Sequence, residues 1–342
     1  MIDLSSDTAT KPSEGMRAAM ARAEVGDEQR REDPTVNELQ DMVAELTGKE
    51  AGLFLPSGTM GNVIALAVHC RRGDSVVVDK TCHIATAEGG GSAFIAQVML
   101  KPVTGERGVF TSDQVRAELT VEGTHTSPTR LISVENTTNR GGGKTWSLNA
   151  LAAIRGVASE AGALMHMDGA RLMNAVVAGG YTAAQAASYV DSVWVDLSKG
   201  LGAPVGAVLC GTTDFIEEAR LLKHRLGGAM RQAGVIAAAG IYAFEHNVER
   251  LAEDHANAKV LETGIAEIPG LEPVFGPVET NIVFFDVSKT GKSAEAICDA
   301  MECAGVRMSQ YPDPTKIRAV THLDVTRADC ERAIEVLRSV VA

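Results

Sequence analysis

The sequence is short of positive charge: 32 lysines and arginines stand against 44 aspartates and glutamates, a formal net charge of −12 over 342 residues. Nucleic-acid phosphates and anionic membranes are held by a basic face, so this balance argues against both as partners and leaves basic groups a local role. Cysteine is sparse too. Six of them, Cys70, Cys82, Cys210, Cys298, Cys303 and Cys330, are scattered without CxxC spacing in apolar segments, which favours reduced core thiols over disulfides or zinc ligands. No metal site is expected. The longest apolar stretch, around Ala233 to Phe244, is rich in Ala and Gly and falls far short of the roughly 20 residues that span a bilayer. The opening MIDLSSDTATKPSEG lacks both a basic region and an apolar core, so it does not read as a secretory signal, and the expected location is cytoplasmic. There is no internal repeat and no low-complexity linker.

What remains is a composition suited to a sizeable buried core, with 45% hydrophobic residues and 34 glycines, and a length that fits one large domain with a smaller companion. Asp33-Pro34 is a helix start, a capping carboxylate followed by proline at the first helical position, and apolar residues at helical spacing run from Val36 to Leu46 before Gly48. Strands are expected at Leu53–Leu55, Ser75–Asp79, Phe94–Leu100, Leu131–Glu135, Ala163–Asp168, Ser192–Leu197 and Gly206–Cys210. Helical segments such as Ser147–Ala161 and Asp214–Arg225 are interleaved with them. Alternating strands and helices of this kind predict an α/β fold with a mostly parallel sheet, whose ligands bind beyond the carboxyl ends of the strands. After long helical text over Val235–Glu262, strands at Asn281–Val287 and Ile317–Thr321 and helices at Ser293–Cys303 and Thr326–Val341 predict a smaller α+β unit.

Three local features point to chemistry. The strand Ala163–Met167 delivers Asp168 at its carboxyl end, followed by a glycine turn and Arg171. Thirty-one residues beyond Asp168, another strand ends in Asp196-Leu197-Ser198-Lys199-Gly200, placing a lysine beside flexible glycines. Ser57-Gly58-Thr59 follows a strand and opens a helix, so its backbone N–H groups can cradle an anion. In isolation each has a bland reading: a helix N-cap, a turn-capping aspartate, a solvated lysine. Together, each at the end of a predicted strand, they match the needs of pyridoxal 5'-phosphate (PLP), namely an amine for the Schiff base, an acid opposite the ring nitrogen and a phosphate cradle.

The same residues carry a resemblance. Asp3-Leu4-Ser5-Ser6-Asp7-Thr8, Asp33-Pro34-Thr35-Val36-Asn37, Leu55-Pro56-Ser57-Gly58-Thr59, His83 with Glu88-Gly89-Gly90, Glu135-Asn136-Thr137, Asp168-Gly169-Ala170-Arg171, Leu197-Ser198-Lys199-Gly200-Leu201-Gly202, Gly227 to Gln232 and Thr321-His322-Leu323-Asp324 resemble the threonine aldolase family. That family lies in the β-eliminating-lyase branch of fold-type I PLP enzymes. The resemblance implies a seven-stranded, mostly parallel sheet flanked by helices, in a large domain over 14–250. It also implies a small α+β domain over 251–342 and an N-terminal segment, 1–13, that contributes to the active site. It further implies that Lys199 forms the Schiff base, Asp168 partners the ring nitrogen, Gly58 and Thr59 hold the phosphate and His83 stacks on the ring. Arg231 reaches the phosphate across a subunit interface of a homodimer or homotetramer, Arg171 serves cofactor and substrate, and Ser6, Thr138 and Arg318 hold substrate.

The implied reaction is cleavage of an L-β-hydroxy-α-amino acid to glycine and an aldehyde, with β-elimination, transamination or racemisation as the alternative on the same scaffold. A PLP-binding protein without turnover is a third reading. Three departures stand out. Where the family usually has Glu-Asn-Thr-His-Asn, this chain has Thr138 in place of the histidine, so removal of the β-hydroxyl proton falls to His83, a bound water or the cofactor phosphate. Ser5 stands where an arginine is general. Arg30 stands where a tyrosine is common, either solvated and paired, with Arg31, to Glu28 and Glu32, or favouring a polar or anionic substrate side chain.

Overall fold

In the computed structural model, which describes residues 1–311 and 313–342, seven strands form the central sheet: β1 (Ala51–Leu55), β2 (Ser75–Asp79), β3 (Met99–Val103), β4 (Thr129–Glu135), β5 (Leu164–Gly169), β6 (Ser192–Asp196) and β7 (Ala207–Gly211). Their order is β1-β7-β6-β5-β4-β2-β3. Strands β2 to β6 run parallel to one another, and β7 is antiparallel to both β1 and β6. Strands such as β2 and β6 are buried at every residue, as their continuous apolar text requires when helices cover both faces. Register sets which side chains meet. Glu135 pairs with Asp168, and Asp168 pairs with Trp194, so these three side chains share one face at the carboxyl ends of β4, β5 and β6.

Two helices bear directly on the site. Helix α1 (Pro34–Thr47) starts where Asp33 Oδ1 accepts the Val36 N–H at 3.0 Å and stops at Gly48, which takes the left-handed φ of 65°. Helix α2 (Gly58–His69) starts at Ser57, whose Oγ accepts the Met60 N–H at 3.2 Å. The helical text expected over Val235–Glu262 is two helices, α3 (Gly234–His246) and α4 (Leu251–Ala266). Leu251 packs in the core of the large sheet, whereas Ala258, Leu261 and Ile265 pack in the core of the small domain. Residue 251 therefore opens a helix shared by both units.

The small domain is an antiparallel sheet of β8 (Glu272–Pro273), β9 (Ile282–Asp286), β10 (Ser309–Gln310) and β11 (Lys316–Val320), in the order β10-β11-β9-β8, with helices Ala294–Cys303 and Arg327–Val341. The N-terminal Ile2–Asp3 adds a parallel pair to Val306–Arg307, and Leu4 is buried in the same core.

Two expectations are corrected. The strand placed at Phe94–Leu100 is Met99–Val103. The apolar residues that suggested it, Phe94 and Ile95, sit on a short helix over Ser92–Ala96 and face outward, Phe94 with 85% exposure. Not every cysteine is in the core: Cys70, Cys82, Cys210 and Cys330 are buried, but Cys298 is half-buried and Cys303 exposed. Burial pushes the Cys70, Cys210 and Cys330 thiols up to about 12, which keeps them protonated and unreactive.

Candidate active site

A cavity of about 380 Å³ opens at the carboxyl ends of β4, β5 and β6. Its floor is the start of α2, where Gly58 and Thr59 present the first backbone N–H groups of a helix capped by Ser57. Such N–H groups and the helix dipole favour an anion. Gly58 has a second reason to be glycine, one that sequence reasoning missed. A Cβ there would lie 2.2 Å from the ring of Trp194, so any side chain would push α2 off β6.

One wall is acidic. Asp168 is buried at the end of β5; its Oδ1 accepts the Ala170 N–H at 3.0 Å and its Oδ2 accepts from Asn62 Nδ2 at 2.8 Å. Burial raises its pKa, helped by the nearby Glu88 and opposed by the Asn62 hydrogen bond and the charges of His83 and Lys199. Glu135, its neighbour on β4, accepts the N–H groups of His83 at 2.6 Å and Asn139 at 2.7 Å. Burial, then the Asp168 charge, pushes Glu135 up to about 7. His83 is bound through Nδ1 to Glu88 Oε1 at 2.8 Å. That hydrogen bond, partly opposed by burial and reinforced by Asp168 and Glu135, raises the imidazole's pKa.

Lys199 enters from beyond β6. Its backbone takes the left-handed φ of 53°, uncommon for a residue with a side chain, and its carbonyl accepts from Thr10 Oγ1 at 2.9 Å and from the Gly202 N–H at 3.0 Å. The ammonium lies 2.7 Å from Asp196 Oδ2 and 5.6 Å from the centroid of the Trp194 ring. Asp196 thus gives the lysine an ionic partner inside the cavity.

The opposite wall carries two arginines in different states. Arg171 is buried and gives Nε and Nη2 to the two oxygens of Asp7, each at 2.7 Å. Burial pushes Asp7 up, but the Arg171 charge and hydrogen bonds more than offset this and hold it well below the usual carboxylate range. Asn281 of the small domain donates to the same carboxylate at 3.0 Å. Arg318, on β11, instead donates to Asn139 Oδ1 at 3.0 Å and to the Ser5 carbonyl at 3.1 Å, and has no carboxylate partner among the described residues. The Ser5 side chain turns to Asp3 at 2.5 Å, so at this departure from the family pattern it is the backbone that meets Arg318. Ser6 and Thr8 complete this wall, with Thr8 Oγ1 donating to Ser6 Oγ at 2.8 Å.

The residues singled out from sequence divide accordingly. Ser6, Gly58, Thr59 and His83 line the cavity, as do Asp168, Arg171, Lys199 and Arg318. Thr138 does not: its Oγ1 donates to the Arg107 carbonyl at 2.8 Å and packs against Gly108 and Gly141, leaving Thr137 and Asn139 to face the cavity. The expected contact of Thr138 with substrate is corrected for that reason. Arg231 lies outside the cavity with a 62% exposed side chain, 2.9 Å from Asp27 Oδ2. Arg30 is 74% exposed and lies 3.9 Å from Asp27, not beside Glu28 or Glu32. Glu28 is buried in an ion pair with Lys223, and Arg31 pairs with Glu217. Asp7, Asn62, Glu135, Asn139 and Asp196 were not assigned roles from sequence. Asn62, one helical turn beyond Gly58, is the one a helical reading of α2 could have placed.

Comparison with known proteins places this geometry. Residues 3–290 match the model of the beta-eliminating lyase family. The low specificity L-threonine aldolase of Escherichia coli (strain K12) is 41% identical over 328 residues, covering 96% of this chain and 95% of its own. Low-specificity L-threonine aldolase 1 of Arabidopsis thaliana is 40% identical over 333 residues, covering 96% and 93%. Among solved structures, a threonine aldolase of Leishmania major superposes with a TM-score of 0.85 at 21% identity over 100% of both chains. A putative L-allo-threonine aldolase of Listeria monocytogenes gives 0.83 at 22% over 99% and 95%. At these identities the superpositions establish the fold.

Proposed function

This chain belongs to the beta-eliminating lyase family, and from that premise we propose that it is a PLP-dependent aldolase. It cleaves an L-β-hydroxy-α-amino acid, threonine, allo-threonine or a relative, to glycine and an aldehyde. The observation that carries the reading is the pairing of Lys199 and Asp168 in one cavity with an arginine, Arg318, that no carboxylate among the described residues neutralises.

The residues present fit the cofactor. The start of α2 suits its phosphate, the Lys199 amine its aldehyde carbon, and the buried Asp168 carboxylate its ring nitrogen. The buried Oγ1 of Thr137, which lines the cavity and has no hydrogen-bond partner among the described residues, is a further polar group in need of one. Bound there, PLP supplies an electron sink for charge that develops at the substrate Cα when its bond to Cβ breaks.

The chain's own groups do the rest. Arg318 takes the α-carboxylate, its guanidinium already aimed by Asn139 and the Ser5 carbonyl. Arg171, already neutralised by Asp7, shapes the wall. Glu88 engages His83 through Nδ1, which leaves Nε2 free to accept the proton of the β-hydroxyl, directly or through a water. The raised pKa makes the imidazole a better proton acceptor. Asp196 holds the Lys199 amine in the cavity.

Self-association as a homodimer or homotetramer is part of the proposal, with the active site at the subunit interface and Arg231 of one subunit reaching the phosphate of another. The exposed side chain of Arg231 favours this. Among the described residues no helix is long and apolar enough to cross a membrane, and the cytoplasm is the proposed location. The test is to incubate the holoenzyme with threonine and allo-threonine and to measure glycine and aldehyde against pyruvate and ammonia. Glycine and aldehyde in equal amounts support the aldolase, and pyruvate with ammonia moves the reading to β-elimination.

A further inference from the structure

Behind Asp168 lies a polar layer of which the proposed reaction uses only the contact of Glu88 with His83. Asn62, on α2, is fully buried. Trp194 fixes which way round its amide sits, because the indole Nε1–H can only donate and lies 2.7 Å from Asn62 Oδ1. The Nδ2 amino group must therefore face the other way, toward two carboxylates: Glu88 Oε1 at 2.7 Å and Asp168 Oδ2 at 2.8 Å. Glu88 Oε1 is in turn the partner of His83 Nδ1 at 2.8 Å. The other oxygen of Glu88, Oε2, is buried without a partner among the described residues, so the His83 contact and the Asn62 amide are what hold this carboxylate in place.

Two buried carboxylates on one amino group repel each other, and the arrangement holds only while a proton or cation compensates them. The charged groups facing His83 are Glu88, Asp168 and Glu135; those facing Asp168 are Glu88, His83 and Lys199. His83 is therefore the nearest site on the Glu88 side where the compensating proton can rest.

We propose that Asn62 and Glu88 are positioning residues that bridge Asp168 to His83, so that the charge on the acid opposite the cofactor ring sets how readily the imidazole gives and takes its proton. The bridge deepens the aldolase reading and rests on its placement of Asp168 and His83 at the ring. With the ring nitrogen of PLP against Asp168, part of the negative charge that holds the proton on His83 is cancelled, and the imidazole becomes a freer proton carrier only when the cofactor is loaded.

Histidine ring NMR of the cofactor-free full-length chain reads this without turnover. In wild type, Asn62→Leu and Glu88→Gln, the His83 titration is followed beside the thermal midpoint, and kcat is profiled against pH in the holoenzymes. We expect Glu88→Gln, which removes a charge, to lower the His83 pKa by about one unit and to move the acidic limb of kcat down by a similar amount, and Asn62→Leu, which strips the two carboxylates of their shared donor, to move both upward. A packing role alone would lower the thermal midpoint and leave the titration of His83 where it is in wild type, and that result overturns the bridge. Should Asn62→Leu fail to fold, Asn62→Ala decides: a raised His83 pKa supports the bridge and an unchanged one overturns it. Failure of the aldolase reading shows separately, as absence of glycine and aldehyde with the titration shift intact.

Discussion

The two walls of the cavity are built on opposite plans. On the acidic wall, Asp168 and Glu135 stand in register on adjacent parallel strands, and their burial is offset by backbone N–H groups and, for Asp168, by the Asn62 amide. On the basic wall, Arg171 and Arg318 come from different domains and are tied together by an N-terminal strap, through the Asp7 carboxylate and the Ser5 carbonyl. The acids are held by the sheet that carries them. The arginines are held by residues far away in sequence, and among the described residues only one of the two is left without a counter-charge.

Lys199 sits between the walls, and losing it should have the largest effect. Lys199→Ala is expected to abolish the absorbance of bound cofactor and to cost about 10⁴-fold or more in kcat; a variant that keeps both would remove the lysine from the chemistry. Next comes Asp7→Asn, which leaves the Arg171 cation buried without its partner. Urea unfolding should show a loss on the order of 3 kcal/mol, and a loss under about 0.5 kcal/mol would mean that the strap does not hold the basic wall.

Arg318→Ala should then raise KM for threonine about 100-fold with a smaller change in kcat, the signature of a lost carboxylate contact. If kcat falls and KM does not, the cation acts elsewhere.

The acidic wall predicts a pH effect. Burial, then the Asp168 charge, pushes the Glu135 pKa up to about 7, against an ordinary value of 4.5. Between those values the folded state binds more protons than the unfolded one, so this group's contribution to stability declines as pH rises. Glu135→Gln, which mimics the protonated form, should match wild type near the bottom of that window and exceed it by about 1–3 kcal/mol above the top. A difference that does not grow with pH would put the ionised form in the native state. The smallest effect belongs to Thr138→Val, expected within about twofold of wild type in kcat/KM because the hydroxyl faces the Arg107 carbonyl. A loss above tenfold would bring Thr138 back to the substrate.

Asp168 on the acidic wall and Lys199 beside it were legible in the sequence, whereas Glu135 and Asn62 were not. A strand that ends in aspartate and another that runs into Ser-Lys-Gly announce their ends locally, and parallel topology brings those ends together. The basic wall was legible only as a set of residues. That Asp7 neutralises Arg171 depends on contacts 164 residues apart, which no local pattern encodes. Thr138 was misplaced because its loop, not its residue type, decides where the side chain points. Phe94 and Ile95 suggested a strand because apolar text at a surface looks the same as apolar text in a core. Gly58 was understood for the anion it can approach, while its contact with Trp194 comes from a strand 136 positions later.

Helix α4 has a consequence for how the molecule comes apart. Its first turn is embedded in one hydrophobic core and its last two turns in the other, with no loop between them to act as a fuse. Melting the small domain must unwind the helix toward Leu251 and open the edge of the large core. The two units are expected to unfold as one cooperative block, a single calorimetric peak in place of two.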